Sequence, residues 1–334
     1  MPSDAQRSHL AFPTKLGFGA SGLGTLYRDV SEREAAEVLA EAYATGFRYF
    51  DTSPFYGHGL SELRLGSFLR TVPRDSVMVS TKAGRYLVPP YGEKVDYGWW
   101  AAPLRLKPVF DYSYDGTMRS LEQSASRVGI TDFDLVYMHD VDRFTHGAAF
   151  ERRFNEAVEG CYRALDDLRK GGFIKAVGVG VNESDVATRF VKACRLDAVM
   201  IAGRYTLLDQ SALVDLFPAA KASGTHIVAA AVFNSGILAA GPGSAKATYD
   251  YGAPPAEIVD KAKRIQALCA AQDAPLQAAA IQFPLRNPIV SAAVLGMSQR
   301  GRAEQNMKWS RWPISDALWS SLDELLGIKQ EQTA

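Results

Sequence analysis

The chain is short of the features that mark a secreted, membrane-spanning or nucleic-acid-binding protein. It has three cysteines in 334 residues. Cys161, Cys194 and Cys269 are far apart, odd in number and never arranged as CxxC, which argues against a disulfide framework or a zinc knuckle and for buried free thiols. It has no run of about 18 apolar residues, and the opening MPSDAQRSHL has no apolar signal-peptide segment, so a cytoplasmic, soluble protein without a membrane partner is expected. It has no excess charge of either sign: 37 Lys and Arg balance 37 Asp and Glu, so no nucleic-acid partner is expected. It also has no internal repeat and no low-complexity tract. What it does have is 47% hydrophobic and 22% charged residues, a globular composition that excludes disorder and collagen. One α/β barrel uses about 250 residues, which leaves roughly 80 to be accounted for.

Short apolar, β-branched runs alternate with segments of helical period. The candidate strands are 16–20, 47–53, 76–82, 132–140, 173–181, 196–203, 225–233 and 289–296. Ser31 and Glu34 form a capping box ahead of Val38, Leu39 and Tyr43, and Gly46 stops that helix. Other helices are predicted near 60–70, 114–129, 150–170, 183–194, 211–223, 255–272 and 302–309. Eight such units, with strands apolar on both faces, predict an α/β fold, a single (β/α)8 TIM barrel over 1–334 with its core at about 15–328. Gly17, Gly19 and Gly22 spell the G-x-G-x-x-G of an open dinucleotide-binding sheet. That motif requires its last glycine to open a helix, and here LGTLYRDV intervenes before Ser31, so a glycine-rich strand end is the better reading.

Residues 84–114, after the third strand, form a long irregular stretch rich in tyrosine, tryptophan and proline. Such a loop is either a folded lid over a pocket, lined by Tyr91, Trp99 and Trp100, or a packing or oligomer surface. Barrel chemistry sits at the C-terminal ends of strands. Asp51, Lys82 and His139 stand at the ends of the second, third and fourth candidates, and Tyr56 follows shortly after Asp51. A lysine ending a buried strand needs a partner, which Asp51 can supply. Its ammonium is then expected to lower the tyrosine pKa from about 10, making Tyr56 a general acid or base beside an orienting His139.

GFRYFDTSPFYGHGLSELRLGSFL (46–69), the STK ending at Lys82, LVYMHD around His139 and LDDLRKGGFIKAVGVGVNES (165–184) resemble the aldo-keto reductases, in register from about 15 to 310. The resemblance implies a barrel that binds a nicotinamide dinucleotide without a Rossmann fold and uses an Asp, Tyr, Lys, His tetrad, here Asp51, Tyr56, Lys82 and His139. Asn182 is implied as the carboxamide ligand. The family's glutamine under the ring falls near Ala202 and its stacking aromatic near Ala230, with Tyr205 or Phe233 as substitutes. LGMSQRGRAEQN (295–306) resembles the phosphate loop and helix: Ser298 lies in it, Arg302 and Asn306 match, and Gly296 replaces the lysine that holds the 2′-phosphate of NADP. NAD is therefore expected as cofactor, with NADP the alternative.

AVGVGVN and AAVFNSGIL are more similar to the sugar 1-dehydrogenase and pyridoxal dehydrogenase branches of the family than to its aldose reductases. That likeness implies oxidation of a small-molecule cyclic hemiacetal, an aldose or pyridoxal, to a lactone. Three alternatives stay open. One is a general aldehyde or ketone reductase. Another is a non-catalytic cofactor-binding redox sensor. The third is a metal-dependent hydrolase or isomerase using His139, Asp140, Asp142 and His146. No metal is expected, and monomer or homo-oligomer is left open.

Overall fold

A computed structural model describes residues 10–328; the polar first nine residues, read above as lacking a signal peptide, lie outside them. Ten strands occur in chain order: β1 Leu16–Gly19, β2 Tyr49–Asp51, β3 Met78–Ala83, β4 Arg85–Val88, β5 Lys107–Phe110, β6 Leu135–His139, β7 Ala176–Val181, β8 Ala198–Ala202, β9 His226–Ala230 and β10 Val290–Gly296. Eight of them close into a parallel barrel in the order β1-β10-β9-β8-β7-β6-β3-β2, and β4 and β5 form a separate antiparallel pair. All eight expected strands are present, one to four residues shorter in most cases, and the (β/α)8 barrel is confirmed.

Alternation along each strand sorts side chains into two cores. Phe50, Val79, Val136 and Met138 pack outward against the helices. Tyr49, Met78, Leu135 and Tyr137 fill the barrel interior with Met200 and Val228. The inward positions that follow toward the C-terminal mouth are Asp51 on β2, Ser80 and then Lys82 on β3, and His139 on β6. The period-2 pattern thus carries these polar side chains to the mouth above the apolar fill. Phe12 closes the opposite end, edge-on to Tyr49 (5.3 Å) and His226 (5.8 Å).

The segment after β3 is more ordered than an irregular loop. Gly84, at φ 104°, takes a turn that few other residues adopt, and a Cβ there would stand 2.3 Å from the Tyr112 ring. The chain then forms the β4–β5 hairpin. Further on, Trp99 O accepts from Tyr27 N (3.0 Å) and Ala101 N donates to Thr25 O (3.0 Å), which ties this segment across the mouth. The expected 150–170 helix contains a π-helical stretch at Ala157–Tyr162, where Gly160 passes close to the Tyr112 carbonyl. Helices Leu276–Leu285 and Asp316–Leu326 were not expected. No helix among the described residues is long and apolar enough to cross a membrane.

The turn carrying Tyr56 is set by the backbone contact of Gly57 with Gly24. Gly57 sits at φ 63°, and a Cβ on it would stand 2.4 Å from Gly24 O. Gly57→Ala is therefore expected to destabilise the fold by about 1–3 kcal/mol. Its urea midpoint should fall, and a wild-type midpoint would show that this close approach does not matter.

Candidate active site

At the bottom of the mouth, Lys82 Nζ donates to Asp51 Oδ2 (2.5 Å) and to the Thr52 carbonyl (2.8 Å). Both side chains are almost fully buried, Lys82 1% and Asp51 2% exposed. Ser80 Oγ donates to the other carboxylate oxygen (2.7 Å) and contacts Tyr49 Oη (3.0 Å), which in turn contacts Tyr137 Oη (3.2 Å). A ladder of hydroxyls thus rises from the barrel interior to the ion pair. Burial pushes the Asp51 carboxyl up and the Lys82 amine down, and each partner opposes the shift of the other.

Tyr56 sits above this pair in the turn between β2 and helix Leu60–Leu69. Its amide donates to Ser53 O (3.1 Å) and its carbonyl accepts from Ser61 N (3.2 Å). Lys82 Nζ lies 4.6 Å from the centroid of its ring. The expectation that Lys82 lowers the phenol is corrected: burial first, then the Asp51 and Asp140 carboxylates, hold Tyr56 well above 10. The Asp51 carboxylate acts on the phenol, and the Lys82 ammonium gives it no net lowering.

His139 lies edge-on to Tyr56, with 6.0 Å between ring centroids. Its Nδ1 meets Arg85 Nη1 (3.0 Å) and Ser53 Oγ (3.1 Å). A guanidinium only donates, so Nδ1 is the acceptor and the proton is on Nε2. Burial, then the Arg85 and Lys82 charges, hold the imidazole well below 6.5, so it is neutral. Arg85 is a participant that the sequence reading missed. Its guanidinium lies 4.3 Å from both the Phe55 and Phe110 rings, and its Nη2 donates to Asp140 Oδ2 (2.7 Å). The only signal for it was an arginine just beyond a lysine-ended strand and a glycine.

These groups open into a cavity of about 600 Å³. Trp99 and Trp100 line it as expected. Tyr91 does not: at the tip of the β4–β5 connection it is 86% exposed, at φ 47°. Tyr251, which was not foreseen, takes that place, stacked on Trp99 at 4.8 Å. Arg204 holds the Tyr251 loop by donating to Asp250 (3.0 and 3.3 Å) and to Asn182 O (2.8 Å).

Of the expected cofactor positions, Asn182, Phe233 and Gly296 line the cavity. Tyr205 does not: it is buried behind the barrel wall against Phe217 and Phe283, so it cannot stack on a bound ring. Ser298 packs beside Gly22. Arg302 borders a separate surface depression, and Asn306 is buried. The amides of Gly301 and Ala303, at the start of that helix, donate to the Glu41 carboxylate (2.7 and 3.1 Å). His139 and Asp140 share Arg85, while Asp142 and His146 are engaged elsewhere. Asp142 accepts from Thr145 N (2.9 Å) and from Asn182 N and Nδ2 (2.8 and 3.0 Å), and His146 contacts Tyr112 Oη (2.9 Å). Among the described residues no group of three or more His, Cys, Asp or Glu converges as metal ligands.

A barrel whose inward strand ends gather an acid, a lysine and a histidine beneath a tyrosine has the architecture of an oxidoreductase of one class. The chain belongs to the Aldo/keto reductase family, whose sequence profile matches residues 15–326. It is 42% identical to a D-threo-aldose 1-dehydrogenase from Pseudomonas sp over 96% of both chains. It is 41% identical to a pyridoxal 4-dehydrogenase from Microbacterium luteolum over 92% of this chain and 93% of that one. The holo form of an aldo-keto reductase from Bacillus halodurans shares the fold, with a TM-score of 0.73 at 20% identity over 98% of this chain and all of the other. The chain is thus an enzyme, an oxidoreductase, and its family implies a nicotinamide dinucleotide and a small-molecule substrate.

The cavity fits such a group. Gly180, Ala202 and Ala230 line one part of it with small apolar groups that leave room for a bound ring. Beside it, Asn182 donates from Nδ2 to Asp142 Oδ2, which orients its side-chain Oδ1 as an acceptor for a carboxamide.

Burial holds His58, His139, His146 and His226 below 6.5 in the folded chain. Below that pH the unfolded chain binds protons that the folded one does not, so stability is complete above 6.5 and lost as pH falls through the folded values. Melting temperature should drop between about pH 7 and 5, with a shallower slope in His139→Gln. Equal slopes would contradict the neutral buried imidazole.

Proposed function

We propose that the protein is an NAD-linked dehydrogenase that oxidises the ring hydroxyl of a cyclic hemiacetal, an aldose or pyridoxal, to a lactone. The observation that carries this reading is the convergence of Tyr56 and His139 over the buried Lys82–Asp51 pair at one end of an aromatic-walled cavity. The names of the two 41–42% identical relatives, one an aldose 1-dehydrogenase and one a pyridoxal dehydrogenase, support the substrate class.

Tyr56 takes the hydroxyl proton, and neutral His139 donates from Nε2 to the same oxygen and orients it. Lys82 and Asp51 hold the floor of the site in one ionised arrangement. Asn182 and Phe233 would hold the nicotinamide half of the dinucleotide, with Gly296, Ser298, Arg302 and Asn306 toward its phosphate end; when bound, that group would supply the hydride acceptor. Overall the hemiacetal C–H gives up a hydride and its O–H a proton, and the ring carbon becomes a lactone carbonyl. Trp99, Trp100 and Tyr251 pack on the face of the cyclic substrate.

The preference for NAD has two supports: Gly296 offers no cation, and Glu41 already occupies the amides of Gly301 and Ala303. A further phosphate charge there meets a carboxylate. The raised phenol of Tyr56 favours proton donation at neutral pH, which supports a second reading in which the same site reduces aldehydes.

The test is reduced-nicotinamide absorbance with NAD or NADP against L-fucose, L-galactose, D-arabinose and pyridoxal, with the lactone identified as product. Failure to oxidise any of the four would overturn the reading. Tyr56→Phe should lower turnover by roughly 100- to 10,000-fold while NAD still quenches protein fluorescence; undiminished turnover would remove Tyr56 from its role. Because the phenol lies above 10, oxidation should rise with pH across the range above neutrality and reduction should stay flat there. A falling oxidation limb would contradict this.

A further inference from the structure

Asp140 has a place in the site that neither the proton chemistry nor cofactor binding uses. It follows His139 at the end of β6, where φ 53° turns the chain sharply and the amide donates to Gly180 O (2.9 Å). Asp is among the few residues that accept that conformation readily. Its carboxylate lines the cavity, partly exposed to it. One oxygen, Oδ2, is held by Arg85 (2.7 Å), itself clamped between two aromatic rings. The other, Oδ1, lies 3.4 Å from His139 Nε2, too far for a good hydrogen bond.

The cavity therefore presents a donor and an acceptor side by side. The donor is His139 Nε2–H, its tautomer set by Arg85 on Nδ1; the acceptor is Asp140 Oδ1. Their separation is comparable to that of two oxygens on neighbouring carbons. A reacting oxygen that accepts from His139 puts an adjacent hydroxyl within reach of Asp140. The field of Asp140 at the Tyr56 and Tyr251 phenols, which it helps to raise, places the carboxylate among the groups that surround the substrate.

We propose that Asp140, positioned by Arg85, is a specificity-determining residue that accepts a hydrogen bond from the hydroxyl next to the reacting carbon, making the substrate a cyclic aldose with a free 2-hydroxyl. The inference rests on the hemiacetal reading and chooses within it. Pyridoxal has no hydroxyl on the carbon next to the reacting one, and its nearest ring oxygen, one carbon further on, is deprotonated at neutral pH, which a carboxylate repels. A 2-deoxy sugar leaves the carboxylate desolvated and unpaired.

The test compares kcat/KM for L-galactose and 2-deoxy-L-galactose, and for L-fucose and 2-deoxy-L-fucose, in wild type, Asp140→Asn and Asp140→Ala, with near-UV circular dichroism as the check on folding. Wild type should lose roughly 10- to 100-fold when the 2-hydroxyl is removed, as befits a hydrogen bond to a charged group. Asp140→Ala should lose a similar factor on the parent sugars and treat parent and 2-deoxy sugar alike, with Asp140→Asn intermediate. The sugar half of the comparison uses the unaltered protein, so it decides even where a variant fails to fold. Wild type oxidising both members of each pair equally, or preferring pyridoxal to every aldose, overturns this assignment and leaves the hemiacetal reading standing. Wild type oxidising no hemiacetal overturns both.

Discussion

The buried Lys82–Asp51 ion pair is the constraint on which the rest of the site depends. Removing two charges from water costs several kcal/mol per ion, and their attraction repays it only when every remaining donor and acceptor is satisfied. Here Ser80, the Thr52 carbonyl and the hydroxyl ladder beneath supply those partners. Tyr56 and His139 sit above this floor, each held in its neutral form first by burial and then by a nearby charge, the Asp51 carboxylate raising the phenol and the Arg85 and Lys82 cations lowering the imidazole. Remote parts of the fold serve the same end: Phe12 seals the far end of the barrel, and Gly24 and Gly57 bring the Tyr56 turn against the first loop.

A second arginine-centred arrangement organises the substrate side. Arg85 fixes the tautomer of His139 and the rotamer of Asp140 at once, and Arg204 ties the Tyr251 loop to the Asn182 strand end. Tyr251, from the loop after β9, and Trp99, from the β4–β5 connection, meet face to face over the opening. Most of the surplus length of the chain over a minimal barrel lies in these mouth loops and in the β4–β5 hairpin rather than in an added layer.

The barrel was legible because its strands obey period-2 alternation with both faces buried, and the same alternation places Asp51, Lys82 and His139 at inward positions. The helix Leu276–Leu285 was not legible because seven of its ten residues are buried, which leaves no polar face to show a period. Arg85 was missed because its partners are distant in sequence: Phe55, Phe110 and the strand end at His139 meet it only once the barrel has closed. Tyr91 and Tyr205 were misplaced for opposite reasons. One points out from a hairpin tip and the other packs behind the wall, and aromatic character alone does not tell a pocket from a core. The direction of the Tyr56 pKa depends on the balance of burial against two carboxylates, which requires coordinates.

Whether Lys82 and Asp51 act as one unit is decided by a double-mutant cycle on turnover with Asp51→Asn, Lys82→Met and the double variant. Coupling through the ion pair predicts strong non-additivity, with the double variant no slower than the slower single one. Losses that simply multiply would mean that the two side chains act independently and that the ion pair is not the foundation of the site.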